Sequence, residues 1–328
     1  MRTPQRLSAS AVVAVAVAAA LAGCSSASGG TATATSALAS ASAPTPTPTT
    51  TLIPHWPITV TGGGGPVTIK GLPQRIVSLD PSATEDLYAI GAGPQVVAVD
   101  QNSDFPPGAP VSSLSGVAPD IQAIAKYNPS LVISQFHAGL VAGLAKLGIP
   151  VLIEPQVFTL RDAYAQIEQI GLATGHANQA VQAVANMREE IDDVVQQVGT
   201  KYRGLSYYWE VSSGPYQAAT SATLIGHILD AFGLRNIADA AHKPGNSPEL
   251  PGDYIVAAKP QVIFLADNDQ ADGGQTPAMV AARAGWARIP AVRDHAIFGL
   301  NDDIASRWGP RLPQLVEEIA GALESLKS

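Results

Sequence analysis

The chain has only one cysteine, Cys24, in 328 residues. A disulfide within the chain needs two thiols, so the folded body must be stabilised by its hydrophobic core. Charged residues make up only 14% of the chain, and the formal net charge is −8 without runs of lysine or arginine. This acidic composition argues against nucleic acid and against anionic lipid surfaces as partners.

Motifs for catalysis are also missing. The sequence contains neither a Gly-x-Ser-x-Gly nucleophile elbow nor a His-Glu-x-x-His metal motif, and no cysteine follows Cys24. The histidines are scattered and are never paired at the spacing of metal ligands on one helix or loop. We therefore predict a protein that is not an enzyme, with no metal site and no cofactor of its own.

The apolar run near the N-terminus is short. Arg2 and Arg6 precede an apolar stretch that begins at Ala11, and small residues close it before Cys24. The stretch is about a dozen residues, whereas a helix needs ~20 to cross the hydrocarbon core of a bilayer. The pattern is typical of a bacterial lipoprotein signal peptide, residues 1–23, with Cys24 as the lipidated residue. An ordinary secretory signal with an incidental cysteine is the alternative.

A second segment, residues 24–56, is rich in Ser, Ala, Thr and Pro and carries almost no charge. Such a segment cannot bury enough apolar surface to become ordered. We predict a semi-extended spacer that holds the body away from a membrane. The protein is then expected on the extracytoplasmic face of the cell membrane, in contact with it through the lipid anchor alone.

The body begins with two short alternating segments, Ile58–Val60 and Val67–Ile69, on either side of a glycine cluster. This pattern predicts a β-hairpin. A phosphate-binding loop is the less favoured alternative, because no helix with a lysine follows the glycines.

Apolar strands and helices then alternate. Residues 75–79 predict a buried strand, and Ser82 and Glu85 after it predict a capping box that opens a helix to about Gly91. Residues 96–99 predict the next strand. Strands that alternate with helices imply a parallel sheet covered on both faces.

A weak internal repeat indicates two such sheets. Residues 120–133 recur in outline as 253–263, each a helix stopped by proline and followed by an apolar strand. Between them, residues 178–202 have the apolar spacing of one amphipathic helix, on the order of 37 Å long. We predict two doubly wound α/β lobes with mainly parallel sheets, joined by one long connecting helix. The predicted boundaries are 57–177 for the N-terminal lobe, 178–203 for the helix and 204–328 for the C-terminal lobe.

Aromatic and charged side chains follow several predicted strands. Phe136 follows the predicted strand Leu131 to Ser134, and Trp209 and Glu210 end the predicted strand Leu205 to Tyr208. Arg307 and Trp308 follow the predicted strand Ala296 to Leu300. In open parallel sheets, ligands bind beyond the carboxyl ends of the strands. A cleft between two lobes would collect these side chains. The alternative for the aromatic residues is a core position, with alternation along residues 207–209 leaving one face outward.

Four segments of the body carry recognisable patterns. They are Arg75-Ile-Val-Ser-Leu-Asp-Pro-Ser-Ala-Thr-Glu85, Val99-Asp-Gln-Asn-Ser-Asp-Phe-Pro-Pro107, Pro129-Ser-Leu-Val-Ile133 and Ser306-Arg-Trp-Gly-Pro-Arg311. In this order, over nearly the whole body, they resemble the iron-chelate and cobalamin binding proteins of ABC importers. The resemblance implies two α/β lobes joined by one long helix, a ligand in the cleft and docking onto a membrane permease.

The resemblance is nearest to the cobalamin-binding branch. It implies that Asp303 and Arg307 are polar cleft residues and that Asp253 is the acidic permease-docking residue of the C-terminal lobe. The docking glutamate of the N-terminal lobe aligns with Gln122, which leaves Asp120 as the nearby acid. Where cobalamin binders place a cleft tyrosine, this chain has an asparagine at position 102.

We therefore expect a monomeric, lipid-anchored solute-binding protein. It captures a bulky metal chelate, with cobalamin or a related corrinoid first, and delivers it to the membrane permease of an ABC importer. A ferric siderophore receptor of the hydroxamate type is the alternative within the class, and an extracytoplasmic sensor or adaptor is the alternative outside it. The predicted ligand-binding residues are Phe136, Tyr208, Trp209, Asp303, Arg307 and Trp308.

Overall fold

A computed structural model describes residues 55–135, 138–268 and 274–326. The predicted signal peptide, Cys24 and most of the predicted spacer lie outside the described residues. Trp56, at the predicted end of the spacer, lies within them and packs against the hydrophobic core. Among the helices in these ranges, none has the length and apolar character needed to span a bilayer.

The first half of the body contains a hairpin and one parallel sheet. Its elements are β1 (Ile58–Gly62), β2 (Gly65–Ile69), β3 (Ile76–Leu79), α1 (Pro81–Ala89), β4 (Val96–Asp100), β5 (Val111–Leu114), α2 (Ile121–Ala125), β6 (Leu131–Ser134), α3 (Ala138–Ala145), β7 (Val151–Ile153) and α4 (Leu160–Thr174). The antiparallel pair β1 and β2 confirms the predicted hairpin. The strands β5-β4-β3-β6-β7 form the sheet in this order, all parallel.

The glycine cluster of the hairpin has a packing role. Gly63 donates a backbone hydrogen bond to the carbonyl oxygen of Ile153 at 2.6 Å. A Cβ atom on Gly62 would collide with the same carbonyl group. The hairpin therefore lies directly against the end of β7, which only a residue without a side chain allows.

One long helix, α5 (Ala177–Val198), follows, and it confirms the predicted connecting helix. Its 22 residues span about 33 Å at 1.5 Å per residue. The buried side chains, among them Val184, Met187 and Ile191, recur at helical spacing along one face. This face packs against the core that the two halves share.

The second half contains the other sheet. Its elements are β8 (Ser206–Ser213), β9 (Tyr216–Ala218), α6 (Leu224–Ala231), β10 (Arg235–Asn236), α7 (Gly252–Ala258), β11 (Val262–Leu265), α8 (Pro277–Ala281), α9 (Pro290–Arg293), β12 (Ile297–Gly299), α10 (Asp302–Ser306) and α11 (Leu312–Glu324). The strands β10-β8-β11-β12 are parallel, and β9 pairs with β8 in the antiparallel sense. Two mainly parallel sheets with covering helices confirm the predicted fold class.

A continuous core joins the two halves. It contains Ile76 and Leu87 of the first half, Val184 of α5, and Phe264 and Leu315 of the second half. The described residues form one compact unit. The boundaries predicted for two lobes within this unit stay a prediction.

Two local predictions are wrong. Ser82 and Glu85 do not form a capping box, because Asp80 is the N-cap of α1 and accepts a hydrogen bond from the backbone N–H of Ser82 at 3.0 Å. Pro81 occupies the first position of the helix, where its missing N–H costs nothing. The first strand of the second half does not end at Tyr208, because Trp209 continues the pairing with β11.

Candidate functional site

Charged side chains gather where helix α1 and the loop after β4 meet helix α10 and the residues that join α10 to α11. We name Glu85, Asp104, Asp303, Arg307 and Arg311 the junction cluster. The first two belong to the first half of the body and the other three to its C-terminal segment. The cluster therefore connects residues more than 200 positions apart, as the 203-residue separation of Asp104 and Arg307 shows.

The buried part of the junction cluster is a paired arginine and glutamate. Arg311 donates two hydrogen bonds to the carboxylate of Glu85, at 2.8 and 2.5 Å, and the two residues are 8% and 2% exposed. The guanidinium of Arg311 also lies over the ring of Phe105, 4.2 Å from its centre. Burial lowers the pKa of Arg311, but the hydrogen bond and the charge of Glu85 raise it above its usual value. The pair is therefore held as a bidentate ion pair.

The accessible part of the junction cluster surrounds Arg307. This guanidinium donates to Asp104 at 2.8 Å and to the carbonyl oxygen of Asn102 at 3.0 Å. It also forms an ion pair with Asp303 at 2.6 Å and approaches Glu85 at 3.5 Å. The side chains of Asp104 and Asp303 are 63% and 47% exposed, whereas that of Arg307 is 11% exposed. Both carboxylates can therefore accept hydrogen bonds from a ligand while Arg307 fixes their positions.

The charges of the junction cluster do not favour an anionic ligand. Three carboxylates face two guanidinium groups, and each guanidinium is already engaged by at least one carboxylate. A further anion would compete with these carboxylates for the same donors. The cluster is suited to neutral or cationic polar groups.

Two aromatic side chains lie beside the cluster. Trp308, one of the predicted residues, is half-buried and packs against the core, and its backbone N–H donates to the hydroxyl of Ser82 at 3.1 Å. Phe105 is 36% exposed under the guanidinium of Arg311. Phe105 is not among the predicted site residues, although Phe105 lies in one of the segments that carry the resemblance.

The structure does not bring all the predicted aromatic residues to this site. Tyr208 and Trp209 are 0% and 2% exposed. Trp209 packs against Phe264 with ring centres 5.8 Å apart, and Tyr208 meets Trp286 edge-on at 6.3 Å. The expectation that one face of this strand points outward is therefore wrong, because β8 lies between β10 and β11 and its residues from Ser206 to Glu210 are all buried. Phe136 lies outside the described residues.

A second polar pair includes Glu210, which lies within β8 opposite the last residue of β11. Arg283 donates to both oxygens of Glu210 at 2.6 Å, and Glu210 is 0% exposed. The guanidinium also lies over the rings of Tyr216 and Trp286, at 4.8 and 4.6 Å from their centres. Asp267 follows β11, and burial together with the charge of Glu210 raises its pKa to about 7. No local sequence pattern indicates this pair, because its members are 73 residues apart.

Buried carboxyl groups also follow the strands of the first half. Asp80 follows β3, and burial raises its pKa to about 6. Burial raises the pKa of Asp86 and Glu154 well above the usual range, with the charges of neighbouring carboxylates adding to the effect. No group of three or more His, Cys, Asp or Glu side chains that could hold a metal ion occurs in the described part of the chain.

The residues predicted to dock a permease lie on two short helices. Asp253 is exposed in the first turn of α7. Asp120 is the N-cap of α2 and accepts hydrogen bonds from the N–H groups of Gln122 and Ala123, at 2.8 and 3.3 Å. Gln122 is exposed. Their docking role stays a prediction.

The chain is similar in sequence and in fold to substrate-binding proteins. The family model described as periplasmic binding protein matches residues 76–304. The chain is 30% identical to an uncharacterized ABC transporter substrate-binding lipoprotein of Bacillus subtilis, over 82% of this chain and 86% of that protein. It is 28% identical to the vitamin B12-binding protein of Pectobacterium atrosepticum, over 78% of this chain and 90% of that one. Among solved structures, the periplasmic vitamin B12 binding protein BtuF of Vibrio cholerae matches with a TM-score of 0.62 and 26% identity, over 77% of this chain and 97% of that chain.

Proposed function

The chain belongs to the periplasmic binding protein family, and we propose that it captures cobalamin or a related corrinoid for an ABC importer. It is a substrate-binding protein that works with an ABC importer for chelates of the cobalamin, haem or siderophore type, and it is not an enzyme. The proposal adds the identity of the ligand, the lipid anchor and the docking residues.

The observation that carries the corrinoid proposal is the contact between Arg307 and Asp104. The resemblance to cobalamin binders selects Asp303 and Arg307, and it separately selects the segment that contains Asp104 and Phe105. Hydrogen bonding at 2.8 Å between Arg307 and Asp104 unites these segments in one site. Relatives named as vitamin B12-binding proteins support the same ligand.

The chemistry of the junction cluster is compatible with a corrinoid. The edge of a corrinoid carries neutral amide groups, and its ring offers a broad apolar face. Asp104 and Asp303 can accept from amide N–H groups, and each such charge-assisted hydrogen bond contributes about 1.5 to 3 kcal/mol. The exposed surfaces of Phe105 and Trp308 can contact the apolar face, at about 0.5 to 1.5 kcal/mol per aromatic contact beyond area burial.

The second candidate ligand is a neutral ferric hydroxamate chelate. The engagement of Arg307 and Arg311 by carboxylates favours it over an anionic catecholate chelate. The same pairing disfavours haem, whose propionate groups are anionic. A hydroxamate chelate can use the carboxylates and backbone groups of the site without needing an unpaired cation.

Calorimetry with three ligands tests the proposal. Cobalamin, a ferric hydroxamate and haem are titrated separately into the purified body, and thermal unfolding is recorded with each ligand. We expect heat and a rise in the unfolding temperature with cobalamin. If cobalamin gives neither heat nor a thermal shift at tens of micromolar, the corrinoid assignment fails while the family assignment remains.

The proposed delivery route has two further parts. Lipid on Cys24 holds the monomeric receptor close to the extracytoplasmic face of the membrane, which raises its effective concentration at the permease. Asp253 contributes the acidic contact of the second half, and Asp120 with Gln122 contributes the contact of the first. An extracytoplasmic sensor or adaptor remains the alternative if docking does not lead to uptake.

A further inference from the structure

A cavity of about 1160 Å³ lies at the edge of the second sheet where its strands begin. Its lining includes Ser206, Arg235 and Ala296, which lie at or next to the amino ends of β8, β10 and β12. Because these strands are parallel, their amino ends lie at the same end of the sheet, whereas Asp303 and Arg307 of the junction cluster come after the carboxyl end of β12. The cavity is therefore separate from the proposed ligand site.

The lining of this cavity is strongly basic. Its basic residues are Lys201, Arg203, Arg235, Lys259, Arg293 and His295, and its one carboxylic acid is Asp294. Asp294 is already paired with Arg293 at 2.9 Å. This concentration of positive charge contrasts with the net charge of −8 of the whole chain. We name this feature the basic cavity.

Three cations of the basic cavity have no partner in the part of the chain that the structure describes. The side chains of Arg203, Arg235 and Lys259 are exposed and make no hydrogen bond or ion pair there. By contrast, Arg283 and Arg311 each form bidentate pairs with a carboxylate. Unpaired like charges that line one cavity repel each other and attract an anion.

Stabilisation of a helix end accounts for only one of these cations, Lys259, which is the C-cap residue of α7. Helices α5, α7 and α9 end near this edge, and a cation near a helix C-terminus is favourable. Arg75 shows this role in the first half, because it donates to the carbonyl oxygens of Tyr127 and Asn128 just beyond α2, at 2.7 and 3.2 Å. No corresponding bond to a carbonyl group occurs for Arg203, Arg235 or Lys259 among the described residues.

The first half provides an internal comparison. A cavity of about 570 Å³ lies beside the beginnings of β6 and β7 and contains a single cation, Lys70. The two sheets are built alike, so a cavity at the amino ends of the strands does not by itself require several cations. The basic lining is therefore specific to the second half.

We propose that the basic cavity binds a soluble polyanion that carries two or more phosphate groups. Arginine and lysine residues from several separate segments of the chain line the cavity, which suits the separate oxygens of linked phosphate groups. The volume is sufficient for a small ligand, and the lining lacks the clustered aromatic residues that dominate protein interfaces. A bilayer surface is planar and would meet an acidic body, so the recessed site fits a soluble ligand better.

The test is calorimetry with sodium tripolyphosphate at low ionic strength. We compare the wild type, the double variant Arg235→Gln/Lys259→Gln and the control Lys126→Gln/Lys146→Gln. The control removes the same charge from exposed positions of the first half. We expect binding to the wild type and to the control, and binding at least about tenfold weaker to the cavity variant.

Three outcomes would overturn the proposal. They are no binding of tripolyphosphate to the wild type, equal weakening by both double variants, and binding to phosphatidylglycerol vesicles without binding to tripolyphosphate. A cobalamin titration of the cavity variant separates this proposal from the transport function. Unchanged cobalamin affinity supports a separate site, whereas equal loss of both ligands contradicts it. Unfolding curves for each variant confirm that it remains folded.

Discussion

Replacing Arg311 with Met should destabilise the protein because it leaves the buried carboxylate of Glu85 without its bidentate partner. The two residues are 8% and 2% exposed, so water cannot replace the lost hydrogen bonds. Breaking a buried ion pair by removing one partner costs about 3 to 5 kcal/mol. Arg307 remains 3.5 Å from Glu85, so we expect the lower end, about 3 kcal/mol. For a body of this size, that corresponds to a fall of roughly 6 to 12 °C in the unfolding temperature.

The assay is urea unfolding at pH 7, followed by far-ultraviolet circular dichroism. The double variant Glu85→Gln/Arg311→Met removes the uncompensated charge, so it should lose less stability than the two single variants together. Arg293→Met is the matched control, because it breaks an ion pair at the surface. The side chains of Arg293 and Asp294 are 67% and 56% exposed. We expect the control to leave the unfolding midpoint unchanged. A cost of under about 1 kcal/mol for Arg311→Met, or additive costs in the double variant, would show that Arg311 does not compensate a buried charge on Glu85.

Three further predictions concern pH dependence, anchoring and docking. Burial raises the pKa of Asp80 from 3.8 to about 6. The stability that protonated Asp80 contributes is therefore fully present below pH 3.8 and is lost as the pH rises through about 6. Asp80→Asn should therefore flatten the dependence of the urea midpoint between pH 4 and 7 and stabilise the protein at pH 7 by about 3 kcal/mol, and an unchanged dependence would contradict this. Cys24→Ala should release the protein from the membrane fraction and reduce uptake while ligand affinity is kept, and equal uptake at equal abundance would make the anchor dispensable. Asp253→Ala should reduce uptake in a deletion strain without changing ligand affinity, with Asp193→Ala as a control, and full rescue by Asp253→Ala would favour the sensor alternative.

Local periodicity was sufficient to predict the architecture. The hairpin, the buried strand at β3 and the long helix α5 each follow from apolar spacing within a short window. The predicted helix boundary at α5 differs from the observed one by only a few residues. Periodicity could not distinguish burial of one face from burial of both faces, which is why Tyr208 and Trp209 were assigned to a site. Their burial depends on the neighbours of β8 in the sheet.

The candidate site could be predicted only in part. Asp303, Arg307 and Trp308 came from the resemblance and from their place after a strand, and the structure brings them to the junction. The pairing of Glu85 with Arg311 joins residues 226 positions apart, and no local pattern indicates it. The spacing of Glu85 from Ser82 fits a capping box, so the local sequence predicts a different partner for Glu85. The basic cavity likewise has no sequence signal, because its cations are dispersed between positions 201 and 293.

The most direct test of the proposed function is a cobalamin titration of the wild type, Arg307→Gln and the control Arg288→Gln by calorimetry. Arg307 positions Asp104 and Asp303, whereas Arg288 is exposed outside the junction cluster. Loss of a charge-assisted contact of about 1.5 to 3 kcal/mol predicts affinity roughly 10- to 150-fold weaker for Arg307→Gln. The corrinoid proposal predicts equal binding by the wild type and the control and this weakening for Arg307→Gln. Absence of cobalamin binding by the wild type, or equal affinity in all three proteins, would contradict it.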